Sequence, residues 1–240
     1  MLNFISETKA TCYRRTVGKR IRLLAIYQLS VKTIGRSQSG NAKAAAAYRS
    51  GTKIGEYDYT HRRGVADRFL LLPPAAPNWN RAELWEEAEK AERRKNSVVA
   101  REVLIALPHE LPFLARRKAA ETLCKFLVSR YGVAVDAALH TPKRGHDARN
   151  YHAHILMTTR RISAQGMTEK TKELDDNRIT GPLEILAIRE EWAKILKGFG
   201  FNLEHRAAYR SEPLCQPPTP APKRNQVVRP DSAPPPRLSL

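Results

Sequence analysis

Two short runs, "VAVDAALH" (133–140) and "HAHILMTTR" (152–160), are separated by the polar, glycine-containing stretch "TPKRGHDARN". Runs of this length bounded by turn-forming residues read as β-strands, and the two lie close enough in sequence to form a hairpin. Side chains alternate along a strand, so His152, His154, Leu156 and Thr158 share one face, and Ala153, Ile155 and Met157 share the other. On the preceding strand His140 shares its face with Ala134, Asp136 and Ala138. If the two strands pair as a hairpin, His140 arrives beside His152 and His154 at the open end of the sheet.

Three imidazoles converging in this way would leave coordination positions vacant for water, phosphate and substrate, as a catalytic metal site requires. An H-x-H pair alone is a weak signal, and two solvated histidines on a strand face are the competing reading. Glu102, in "REVLIALP", shares its face with Leu104 and Ala106 and is an acidic residue in an otherwise apolar strand. It is placed to orient one of the imidazoles as a supporting carboxylate. His109 follows a proline and His146 lies in the loop between the two strands, so both are expected in solvent; His61 and His205 carry less information.

The chain has 42 Lys and Arg against 24 Asp and Glu, a formal charge of +18, and the excess is spread along most of its length. Such a balance points to a polyanionic partner, nucleic acid before membrane surface. No long uncharged apolar stretch occurs, and "IRLLAIYQL" is too short and too close to charges for a signal peptide, so the expectation is a cytosolic protein without membrane insertion. Cys12, Cys124 and Cys215 lie far apart without C-x-x-C spacing, which argues against a disulfide framework or a structural zinc site.

Residues 211–240 hold nine of the sixteen prolines and almost no apolar periodicity, the composition of a disordered tail. Residues 1–23 are basic and aperiodic, and read as an extension that is mobile or precedes the true start. The folded domain is therefore expected over 24–210. Within it, "LAIYQLSVKTI", "DRFLLLP" and "AREVLIALP" read as further strands. "GNAKAAAAYRSG" reads as a short helix closed by Gly51, and "NWNRAELWEEAEKAERRKNS" as a polar helix running to about Lys95, with Asn80 and Glu83 at capping-box spacing. "PFLARRKAAETLCKFLVSRYG" and "GPLEILAIREEWAKILKGFG" are amphipathic, the latter with Ile185, Ile188, Trp192, Ile195 and Leu196 on one face. Mixed strands and helices with a hairpin favour an α+β fold around a mainly antiparallel sheet.

A metal that polarises a phosphodiester needs an attacking oxygen, from water or from a side chain such as tyrosine. Tyr48 is a candidate: it stands at the end of an alanine-rich helix that can approach another surface closely, with Arg49 beside it. By spacing alone, a packing tyrosine at a helix end is the commoner case.

The segments "LAIYQLSVKTIGRSQSGNAKAAAAYRSG", "DYTHRRGV", "LPPAAPNWNRAELWEEAEKAERRKNSVVAREVLIALPHEL", "ALH" and "NYHAHILMTTR" closely resemble, in order and separation, the MobA/MobL family of plasmid mobilization relaxases. The resemblance implies the fold of the HUH single-strand endonucleases, a central antiparallel sheet with packed helices. It places the family's metal histidines on His140, His152 and His154, its nucleophilic tyrosine on Tyr48, and a supporting acidic residue on Glu102. The implied cofactor is a divalent ion, Mg²⁺ or Mn²⁺. The implied activity is nicking of one strand at a plasmid transfer origin, leaving a 5′-phosphotyrosine and a free 3′-hydroxyl that the same site can rejoin. The implied partners are single-stranded DNA at that origin, relaxosome accessory proteins and a type IV secretion coupling protein in a bacterial cytoplasm. Tyr151 stands where family members commonly have proline, members usually begin near the residues matching Ala25, Ile26 and Tyr27, and the resemblance stops after Arg210. An HUH replication initiator or transposase would share the chemistry on a different DNA target, and a non-catalytic basic DNA-binding protein would account for the charge alone.

Overall fold

The computed structural model of the chain describes residues 27–176 and 178–201. The extension expected over 1–23 and the tail expected over 211–240 lie outside the described residues, as do Cys12, Cys215 and His205. Five strands form the central sheet: β1 (Leu29–Gly35), β4 (Val65–Leu71), β5 (Val98–Leu107), β6 (Val135–His140) and β7 (Tyr151–Thr158). Their order is β1-β5-β7-β6-β4, and every neighbouring pair is antiparallel. The expected hairpin is the β6–β7 pair, with His140 directly opposite His152 and Ala138 opposite His154.

Two layers of helix cover the two faces of this sheet. Val103, Ile105, Leu139, Ala153, Ile155 and Met157 point to one face and pack with Leu123, Leu127, Trp192 and Leu196 of α3 (Phe113–Tyr131) and α4 (Thr180–Gly198). The other face carries the histidines. It is covered by α1 (Ala42–Ser50) and α2 (Arg81–Ala91), whose Ala46, Ala47, Leu84 and Trp85 pack with Ala100, Ala134 and Leu156. Because both faces are covered, β6 is buried along its whole length despite its aspartate and histidine. Asp136 is satisfied there by Arg81 Nε at 2.9 Å and Trp85 Nε1 at 2.9 Å, which tie α2 to the sheet. Burial nevertheless pushes its carboxyl up, outweighing the lowering effect of those two partners.

Two small hairpins, β2 (Lys53–Ile54) with β3 (Tyr57–Asp58) and β8 (Arg160–Ser163) with β9 (Gly166–Lys170), and two 3₁₀ turns, Arg36–Gln38 and Lys172–Leu174, complete the described elements. Helix α2 has the expected capping box between Asn80 and Glu83, but it ends at Ala91 rather than near Lys95. Glu92 leaves the helix to bury its carboxylate against Arg160 at 2.9 Å and Lys170 at 2.8 Å. Two charge-assisted contacts at a buried site outweigh one further turn of exposed polar helix.

Candidate metal centre

At the open end of the sheet the rings of His140, His152 and His154 lie 4.7 to 5.2 Å apart between centroids, and one nitrogen from each falls within 4.8 Å of the others. No other group of three such side chains is found among the described residues. Each ring has one nitrogen held by an acceptor. His140 Nε2 donates to the Arg49 carbonyl at 2.7 Å, His152 Nδ1 to the Asn150 carbonyl at 3.0 Å, and His154 Nδ1 to Glu102 Oε1 at 2.5 Å. Carbonyl and carboxylate oxygens cannot donate, so the bonded nitrogen carries the proton and the opposite one is left with its lone pair. This is the arrangement that orients a metal-ligating imidazole and fixes its tautomer.

The electrostatics favour the same state. Burial pushes His140 down to about 4, an effect only partly offset by the Arg49 carbonyl and reinforced by the neighbouring imidazoles and Arg62. His152 is lowered as well, again chiefly by burial. At neutral pH both are therefore uncharged, the form that coordinates a cation. Glu102 is also removed from water, which raises its pKa, but bonds from Arg49 and His154 more than compensate and hold it well below the usual carboxylate range. Arg49 grips it as a fork, Nε to Oε1 at 2.6 Å and Nη2 to Oε2 at 2.9 Å.

Helix α1 brings Arg49 to this place. Asn41 caps its start by accepting from Ala44 N at 2.9 Å, and Gly51 ends it in the left-handed conformation at φ 60°. The buried alanines 42, 45, 46 and 47 let the backbone lie close to its neighbours, and the last turn docks on the triad through both the carbonyl and the guanidinium of Arg49. Tyr48, one residue before, is 46% exposed; its ring meets Tyr59 edge-on at 5.3 Å and lies under Arg62, whose Cζ is 3.5 Å from the ring centre. A register shift in β4 between Val65 and Asp67, opposite His140, turns the preceding segment toward the site, where the Gly64 carbonyl accepts from Thr141 N at 2.9 Å.

The family model for MobA/MobL matches residues 40–199, a span that includes Tyr48, Glu102 and all three histidines. The chain belongs to the MobA/MobL family. A curated relative, mobilization protein MobL of Acidithiobacillus ferridurans, is 36% identical over 77% of this chain and 58% of its own length. The probable mobilization protein MobA of Bifidobacterium longum is 32% identical over 58% of this chain and 26% of its own length. The chain thus spans little more than half the length of the first relative and about a quarter of the second. A solved structure described as the molecular basis of vancomycin resistance transfer in Staphylococcus aureus is 27% identical, covers 75% of this chain and 96% of that one, and superposes with a TM-score of 0.63.

In this MobA/MobL chain the five expected site residues are not equivalently placed. His140, His152 and His154 form one cluster, with Glu102 hydrogen-bonded to His154 and linked through Arg49 to His140, while Tyr48 stands at the adjoining end of α1. The other histidines are elsewhere: His109 pairs with Glu110 at 3.2 Å, and His61 and His146 are exposed. Tyr27, a second tyrosine near the start of the domain, donates its hydroxyl to the Arg189 carbonyl of α4 at 2.6 Å and so belongs to the opposite face of the sheet. Sequence reasoning missed two participants, the Arg49 fork on Glu102 and the Arg62 stack on Tyr48. The only local signal for either was its position within a segment resembling the family.

No helix among the described residues is long and apolar enough to cross a membrane.

Proposed function

We propose that the protein is a relaxase that nicks one strand of transfer-origin DNA by metal-assisted transesterification during plasmid mobilization. The observation that carries this reading is the triad itself. Each of its imidazoles has one nitrogen tied to an acceptor and the other open, and a helix bearing an exposed tyrosine is bonded to it through the adjacent residue.

In this reading His140, His152 and His154 hold a divalent cation, and the donor set fits one. A bound cation supplies charge stabilisation at the scissile phosphate. Between Mg²⁺ and Mn²⁺, an imidazole-only set suits the transition ion, because Mg²⁺ prefers oxygen ligands and dehydrates reluctantly. Glu102 keeps His154 turned with its Nε2 lone pair outward, and Arg49 keeps Glu102 ionised and fixed. The Tyr48 hydroxyl attacks phosphorus: the P–Oη bond forms, the P–O3′ bond breaks, the phenol proton leaves and O3′ gains a proton. The product is a 5′-phosphotyrosyl ester and a free 3′-hydroxyl. The ester conserves the bond, so the reverse attack by a 3′-hydroxyl rejoins a strand.

Exposed Arg63, Lys143 and Arg144, on the loops that flank His140, add to a strongly basic chain suited to a single strand. Relaxosome accessory proteins and a type IV secretion coupling protein are the partners this role entails, and the cytoplasm is where it operates. The test is incubation with labelled oligonucleotides carrying candidate transfer-origin sites, followed by denaturing electrophoresis. A retarded protein–DNA band that requires a divalent ion is expected. Cleavage that leaves only free 5′-phosphate ends would overturn the transesterification.

A further inference from the structure

The arginines around the triad are not in the same state. Arg49 is committed to Glu102, Arg81 to Asp136, and Arg68 donates to the carbonyls of Ser50 at 2.9 Å and Gly51 at 3.4 Å. Arg62 differs. Among the described residues its guanidinium has no hydrogen-bond or ion-pair partner; it lies flat against a ring instead, Cζ 3.5 Å from the centre of Tyr48. Two residues on, the Gly64 carbonyl accepts from Thr141 N, next to His140, at 2.9 Å, so the segment that carries Arg62 runs beside the triad as well as the tyrosine.

The segment that carries it is braced at both ends. Arg62 N donates to the Tyr59 carbonyl at 2.9 Å, Tyr59 packs its ring against Tyr48, and the Gly64 carbonyl is bonded to the residue that follows His140. The guanidinium is half-buried and its donors are open to an arriving acceptor rather than sealed off from solvent. A stacked guanidinium keeps its N–H edge free, and that planar edge matches two oxygens of a phosphodiester.

We propose that Arg62 is a phosphate-binding residue of the cleavage site, which clamps the Tyr48 ring through its face and presents its N–H edge to the non-bridging oxygens of the scissile phosphate. This rests on the reading of Tyr48 as the nucleophile. Stacking on the ring fixes the direction of attack. Donors already in place where charge builds on the phosphoryl oxygens lower the barrier more than they strengthen ground-state binding. The same contact would hold the phosphotyrosyl ester until a 3′-hydroxyl returns.

The test uses the full chain with Mn²⁺ and an oligonucleotide carrying candidate transfer-origin sites, in single turnover. Arg62→Met keeps an unbranched side chain over the ring but removes charge and donors; Arg62→Lys keeps the charge without the fork. Adduct formation should slow about 100-fold or more in Arg62→Met while oligonucleotide affinity changes by no more than about 3-fold, and Arg62→Lys should recover about 10-fold of the loss. Sulfur in place of one non-bridging oxygen should slow the wild type in a way a thiophilic ion does not relieve, and should have no such effect in Arg62→Met. Mere packing predicts Arg62→Met at the wild-type rate with undiminished sulfur sensitivity, and that result overturns the proposal. Tyr48→Phe, run in parallel, separates the two readings: if it forms adduct like the wild type, the nucleophile is misassigned, whereas a dead Tyr48→Phe beside a fully active Arg62→Met removes the Arg62 proposal alone. Should Arg62→Met fail to fold by thermal melt, Arg62→Gln takes its place under the same criteria.

Discussion

Glu102→Gln changes one oxygen to nitrogen at the point where the structure joins helix, sheet and triad. The carboxylate accepts three charge-assisted or short hydrogen bonds, from Arg49 Nε, Arg49 Nη2 and His154 Nδ1, and its side chain is only 8% exposed. An amide keeps one acceptor oxygen, which at the Oε1 position still accepts from Arg49 Nε and His154 Nδ1, but its NH₂ then faces the Arg49 Nη2 donor and the negative charge is gone. Breaking a buried ion pair costs about 3–5 kcal/mol, and the low end applies because the Arg49 side chain keeps 19% of its exposure. For a domain of this size about 3 kcal/mol lowers Tm by roughly 6–12 °C. Metal affinity should fall about 10- to 100-fold as the orienting partner of His154 changes from a carboxylate fixed by the Arg49 fork to a neutral amide. The stability difference should also depend on pH in a fixed direction. Glu102 is depressed below its ordinary pKa of 4.5, so its contribution is fully present above that value and is lost as pH falls toward the folded-state pKa. The gap in Tm between wild type and variant should therefore narrow below about pH 4.5 and be widest near neutrality. Thermal melts across pH and calorimetric titration with Mn²⁺ read both effects. A variant that melts and binds metal like the wild type at neutral pH would refute the claim that Glu102 fixes the triad.

Gly51→Ala puts a Cβ 3.2 Å from Val65 Cγ2 on a residue at φ 60°, so it should destabilise by about 1–2 kcal/mol, read by denaturant melts, and lower the cleavage rate by displacing the end of α1 that carries Tyr48 and Arg49. Asn80→Ala removes the capping box of α2 at a cost of about 1 kcal/mol. Cleavage per folded molecule should be unchanged in that variant, because the cap touches neither the triad nor α1. His152→Ala should abolish cleavage while gel-shift affinity for a single strand stays near wild type, since the charge that drives binding lies on Lys and Arg; chelation of the divalent ion should do the same.

The parts of the site legible in the sequence are those carried by local periodicity. Alternation in "NYHAHILMTTR" puts His152 and His154 on one face, the short connection forces β6 to lie beside β7, and the register then sets His140 opposite His152. Glu102 stands out because its strand is otherwise apolar. The Arg49 guanidinium reaches Glu102 across 53 residues and its carbonyl reaches His140 across 91, contacts that no spacing rule encodes. Arg62 lies in a short, polar, turn-rich segment without a period of its own. The β8–β9 hairpin escaped for a similar reason: "RRIS" and "GMTEK" lack an apolar alternation, and what holds them is the buried Glu92 carboxylate between Arg160 and Lys170. The early end of α2 has the same cause.

The central claim is that Tyr48 takes the phosphoryl group, and mass spectrometry of the trapped protein–DNA adduct tests it most directly. Trypsin after Lys43 and Arg49 releases residues 44–49, a peptide with Tyr48 as its sole hydroxyl-bearing side chain. After nuclease trimming, the account predicts that this peptide carries a nucleotide linked through its 5′-phosphate, and that Tyr48→Phe yields no modified peptide anywhere in the chain. A nucleotide found on another residue, or cleavage by Tyr48→Phe at the wild-type rate, would contradict it.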